Sequence, residues 1–199
     1  FQKQLDMKSL PRLLMFVAAL ALLGLFLFPM WSITLYAPQY PDGVTMYIWI
    51  NKLSGSTEGT LQNINILNHY VGMKMIEPES IPELKYFPYV IYAMSALGLL
   101  VAVINKKNLF LAWTILLVVF CTAGIYDFYL WEYDYGHNLS PDAPISIPGM
   151  AYQPPLIGRK ALLNFIADSW PHIGGAFVGV SIVAGFAAYW LKKRALRQA

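Results

Sequence analysis

The sequence predicts an all-α integral membrane protein with four transmembrane helices, both termini cytoplasmic, and two long periplasmic loops of minor β content. Three observations carry that reading. Of the 199 residues, 57% are hydrophobic and only 13% charged, a balance unlike that of water-soluble domains. Four apolar runs, residues 13–35, 86–104, 109–126 and 173–191, each approach the roughly 20 residues needed to cross a bilayer core. Nine of the 14 basic residues crowd into the N-terminal tail (Lys3, Lys8, Arg12), the turn Asn105-Lys106-Lys107-Asn108 and the C-terminal tail (Lys192, Lys193, Arg194, Arg197), which assigns these segments to the cytoplasm. The long loops, 36–85 and 127–172, hold ten of the 11 acidic residues and fall on the outer side. Residues 1–199 thus read as one membrane domain, in contact with lipid and expected in a bacterial inner membrane. The net charge of +3 reflects this topology, and no nucleic-acid partner is expected.

A basic segment ahead of an apolar run also describes a signal peptide, but the first run exceeds a typical h-region and is expected to remain as a helix. The chain opens on Phe1 rather than Met, so a few native residues are expected to precede it. Pro29-Met30-Trp31 ends the first helix at an aromatic anchor. Pro38, Pro41 and Asp42-Gly43 make an extended turn, and the near-alternating residues 44–50 predict one short strand. Thr60 is placed to cap a helix running through residues 65–75. The acidic stretch 77–83 reads as a solvated linker, or more sharply as a hard-cation site. The Lys106-Lys107 turn forces the second and third helices into an antiparallel hairpin. Five aromatic residues from Tyr126 to Tyr133 suit a belt at headgroup level. Residues 138–155 hold too many prolines for a helix and form an extended cover loop, residues 161–166 predict a short interfacial helix, and Gly175-x-x-x-Gly179 predicts a close helix contact. Cys121, the single cysteine, lies in an apolar run and behaves as a small buried hydrophobe.

Potential ligand atoms concentrate in one stretch, Asn65-Ile66-Leu67-Asn68-His69-Tyr70-Val71-Gly72-Met73-Lys74-Met75. If it is helical, His69 and Met73 share a face at i, i+4, and Met75 follows closely. All three histidines, His69, His137 and His172, fall on the outer side, as do Met46, Met73, Met75 and Met150. Imidazole and thioether suit copper, and thioethers favour Cu(I). On this reading His69, Met73 and Met75 form a primary site that His137 or Met150 completes, and Asp127, Glu132 or Asp134 can supplement it. The plainer reading has Met73 and Met75 docking the segment onto the bilayer or other loops while His69 makes an ordinary hydrogen bond.

Other chemistries find less support. The spans hold no histidine, so no haem is expected. No cysteine pair serves thiol-disulfide exchange and no Gly-rich loop serves an ATPase. Ser169 near His172 is too thin a basis for a hydrolase, and spans without central ionisable residues argue against a transporter. No catalytic residue is assigned. A quinone or lipid at the outer rim has no distinguishing residue.

Trp31 with Ala37-Pro38-Gln39-Tyr40-Pro41, the Asn65…His69-Tyr70-x-Gly72-Met73 core, and Asp134-Tyr135-Gly136-His137 with Pro144-Ile145 and Pro154-Pro155 carry a likeness. The chain resembles small polytopic membrane proteins found alongside nitrous oxide reductase and its copper-maturation factors. The likeness spans most of the chain and rests on loop residues. It implies association with copper-enzyme assembly, with His69, Met73, Met75 and His137 as the matching candidates. The expected function is an accessory protein whose periplasmic loops bind copper, or dock a copper-bearing partner, during maturation of an exported enzyme. The alternative is a non-catalytic anchoring subunit of a membrane complex, such as a respiratory one.

Overall fold

Pro29 lacks an amide hydrogen and cannot continue a helix, and the residues behind it alternate in character, so the first apolar run changes structure partway along. In the computed structural model, which describes residues 2–198 and the side chains of residues 9–198, α1 (Gln2–Ala21) and a 3-10 turn (Leu22–Phe26) end before that proline. Phe1 and the side chains of Lys3, Asp6 and Lys8, which the sequence reading used, lie outside the described residues. Beyond Pro29 the chain forms β1 (Trp31–Ala37), with Ile33, Leu35 and Ala37 buried at every second position.

β1 is the centre of a sheet. One edge pairs antiparallel with β2 (Tyr40–Ile48), which pairs in turn with β3 (Leu53–Gly55). Its other edge pairs with β5 (Phe165–Pro171), which forms a hairpin with β4 (Gly158–Leu162). The order is β3-β2-β1-β5-β4, all antiparallel. The chain is therefore mixed α/β, which corrects the all-α expectation, and its β content is a five-stranded sheet rather than one short strand. Two causes account for the difference. Hydropathy runs on through residues 31–35, so an apolar count alone cannot separate the helix from β1. Residues 161–166, expected to be helical, are the β4–β5 hairpin; Leu163 turns it at φ 56°, a conformation usually announced by Gly or Asn.

Four helices are long and apolar enough to cross a membrane: α1 with its 3-10 extension, α3 (Glu83–Ile104), α4 (Lys107–His137) and α5 (Ile173–Arg197). Small side chains let them approach, and hydroxyls tie them together. Ser181 Oγ donates to the Ala18 carbonyl at 2.6 Å and Ser95 Oγ to the Ala19 carbonyl at 2.9 Å. Gly98 lies against Ala19 and Trp113, and Gly185 against Thr114. The expected Gly175-x-x-x-Gly179 contact is not made in that form, because Gly179 faces open space and Gly174 makes the close approach, against Phe28 and Pro29.

Backbone hydrogen bonds join the bundle to the sheet where α5 begins. The Gly174 amide donates to the Pro29 carbonyl at 2.7 Å and the His172 amide to the Met30 carbonyl at 2.8 Å. The α1/α5 pair thereby continues into the β1/β5 pair. The 31 residues of α4 rise about 46 Å against a hydrocarbon core of about 30 Å, so the helix outruns a bilayer. Phe110, Trp113 and Leu117 pack in the bundle core, whereas Trp131 and Tyr135, in its last turns, pack on the sheet together with α2 (Thr60–Val71).

Candidate functional site

The ligand-rich stretch folds as a helix end and an irregular returning segment. Thr60 does not cap α2: Gly59 holds that position, and the buried Thr60 hydroxyl donates to the Thr57 carbonyl at 2.8 Å. Gly72, at φ 80°, ends the helix, where a side chain would be strained. Met73 and Met75 therefore lie beyond the helix, and the i, i+4 face expected for His69 and Met73 is not formed. The chain doubles back, and Asn65 clamps it: its side chain accepts from the Ile76 amide at 2.7 Å and donates to the Ile76 carbonyl at 3.1 Å. Tyr135 Oη donates to the Met75 carbonyl at 3.2 Å, and Lys74 Nζ pairs with Asp134 at 2.6 Å. Lys74 and the Asn138 amide hold the Asp134 carboxyl below the usual carboxylate range.

The five candidate metal ligands take separate positions. His69 is exposed on α2 beside Tyr70. Met73 is half-buried and faces inward, whereas Met75 and Met150 are exposed. His137 is exposed at the end of α4, stacked on Tyr133 at 3.9 Å, with Nδ1 at 3.0 Å from the Tyr133 carbonyl. Among the described residues no group of three or more His, Cys, Asp or Glu side chains is placed to hold a metal. His172 sits ahead of α5 with its ring edge-on to Tyr47.

The cover loop closes over this end of the molecule. Its Ser140 amide donates to the Gly72 carbonyl at 2.8 Å and its Ile145 amide to the Tyr70 carbonyl at 2.9 Å. Ile66 and Tyr70, one turn apart on α2, are 51% and 49% exposed, and Ile145 beside them is 41% exposed. Ile66 and Tyr70 share one face of α2 and Ile145 is bonded beside Tyr70, so these exposed apolar residues lie on the α2 and cover-loop surface, the ridge referred to below.

Farther along, the Tyr152 amide donates to the Gly136 carbonyl at 2.9 Å, and the Tyr152 ring turns inward, fully buried. There a cavity of about 40 Å³ lies between the sheet, α2, α4 and the cover loop. Its walls are mostly apolar, yet Glu132, Tyr152 and Asn68 reach it. Glu132 is fully buried, and among the described residues neither of its oxygens nor the Tyr152 hydroxyl has a hydrogen-bond partner. Burial pushes the Glu132 carboxyl up to about 8, so the group is held neutral below that. Glu132 is absent from the five ligand candidates, although its spacing marks it: Phe128, Trp131, Glu132 and Tyr135 share one helical stripe, and a carboxyl in an apolar stripe is a buried carboxyl. The arrangement can hold a proton or a small polar guest. Comparisons with protein-family models and with curated proteins return no match to this chain.

Proposed function

We propose that the protein is a non-catalytic, membrane-anchored docking subunit of a bacterial inner membrane, with both termini cytoplasmic and the sheet end in the periplasm. The four helices hold it in the bilayer, and the ridge of Ile66, Tyr70 and Ile145 receives a protein partner. The observation that carries this reading is that ridge: large apolar side chains are exposed together on the α2 and cover-loop surface, outside the four lipid-crossing helices. Aromatic and aliphatic anchors of this kind dominate the energetics of protein interfaces. One feature favours a copper-bearing partner or a copper maturation factor. His69, in the last turn of α2, and Met75, on the segment that returns past it, are both exposed and so open to ligand exchange with a partner that supplies the remaining donors for Cu(I).

A photoreactive residue at Ile66 or Ile145, set against one at Trp170 on a separate strand, tests the reading in membranes. Crosslinking to one protein from the ridge positions only, with that protein lost from purifications of Ile66→Asp and Ile145→Asp, is the expected result. Crosslinking to lipid alone, or unchanged co-purification in both variants, overturns it. Adding a Cu(I) chelator separates the metal arm, since a copper-dependent partner leaves and a purely protein-held one stays.

A further inference from the structure

The cavity beside Glu132 has unmet polar capacity inside an apolar shell. Both carboxyl oxygens and the Tyr152 hydroxyl lack partners among the described residues, and their side chains are essentially unexposed. Buried polar groups without partners are rare in folded proteins, and a guest that bridges them is the usual resolution. The space of about 40 Å³ exceeds the roughly 10–15 Å³ that one water requires, so the guest can be somewhat larger than water.

The walls decide its chemistry. A hard metal ion demands a shell of about six oxygens, and the cavity offers the two of Glu132, the Tyr152 hydroxyl and the Asn68 amide. Trp131, Tyr135 and Phe165 add aromatic rings to a lining that is otherwise aliphatic. A carboxylate among aromatic rings suits an ammonium group, whose hydrogens reach oxygen acceptors while its charge is drawn to π faces. We infer that this cavity is a binding site for a small ammonium-type cation, ammonium or methylammonium in size, with Glu132 as counter-ion and Tyr152 as second acceptor.

Protons compete for the site because only the ionised carboxyl serves as counter-ion. The other groups facing Glu132 leave that competition simple. The Tyr135 hydroxyl on α4 is engaged by the Met75 carbonyl, Asn68 on α2 is neutral, and the sheet contributes Ile33, Leu35 and Met46. The nearest ion pair, Lys74 with Asp134, is exposed on the outside.

Titrating the purified full chain in detergent with ammonium chloride or methylammonium chloride at constant ionic strength, followed by tryptophan fluorescence and thermal unfolding, tests the inference. Both cations should give a saturable change that sodium and the bulkier tetramethylammonium do not. Apparent affinity should be at least about tenfold weaker at pH 6 than at pH 8, as proton competition requires. Glu132→Gln should abolish the change and Tyr152→Phe should weaken it several-fold. An ammonium response no larger than the sodium control in the wild-type chain overturns the inference, as does wild-type affinity in Glu132→Gln. The wild-type titration decides even if a variant fails to fold.

Discussion

Asn65 illustrates how one side chain can organise a segment that has no secondary structure of its own. Its amide satisfies both the N–H and the C=O of Ile76, a buried residue, and so fixes the returning segment that carries Met73 and Met75. Asn65→Ala should cost about 1–3 kcal/mol by denaturant unfolding, because both backbone groups lose their partner. His69→Ala, on the exposed side of the same helix, should stay within about 0.5 kcal/mol. The sequence shows the residues of this stretch but not which of them face inward, since Gly72 redirects the chain between His69 and Met73. Glu132 makes a second prediction. Its carboxyl stays protonated to about 8 when folded, whereas the unfolded chain releases that proton near the ordinary value of 4.5. The unfolded state thus binds fewer protons over that window, so stability is fully present below about 4.5, falls as the pH rises and levels off above about 8. Glu132→Gln should flatten this slope and raise stability at pH 8 by on the order of 3 kcal/mol relative to pH 5, read as the gap between thermal unfolding at the two values. Asp168 acts in the opposite sense: the two-pronged contact from Arg159 lowers its carboxyl, so its contribution is lost only as the pH falls below the ordinary 3.8.

At the scale of elements, what could be read from sequence depended on whether periodicity and hydropathy agreed. α3, α4 and α5 are each one long apolar run, and their existence follows from length alone. β1 and β5 are hidden for different reasons: β1 follows an apolar run in which Ser32 and Thr34 lower the hydropathy only slightly, and β5 enters from a turn that holds Leu163 in place of a glycine signal. The candidate site is hidden in the same way: the apolar run ends at residue 126, and only the continued helix brings Trp131, Glu132 and Tyr135 onto one face. Gly136 shows how closely that face is covered. A methyl group there would collide with the Gln153 backbone, which is carried by the same loop as Tyr152. Gly136→Ala should therefore displace the cover loop and cost about 1–3 kcal/mol, and protease cleavage within residues 138–157 should accelerate.

For the whole molecule, the charge pattern and the fold make one joint prediction about orientation. The α3–α4 turn with Lys106 and Lys107 lies at the end of the bundle away from the sheet, so the sheet and the basic segments should be on opposite sides of the membrane. In a Cys121→Ala background, Ser56→Cys should react with an impermeant maleimide in intact cells, whereas Gln198→Cys should react only after lysis. Labelling of Gln198→Cys from outside would reverse the orientation while leaving the fold as described.

A 3-10 turn and Pro29 separate α1 from β1, and His172 alone separates β5 from α5, with the Gly174 and His172 amides bonded across the two crossings. In a bilayer, any tilt of the α1/α5 pair would therefore be carried to β1 and β5, the paired strands at the centre of the sheet.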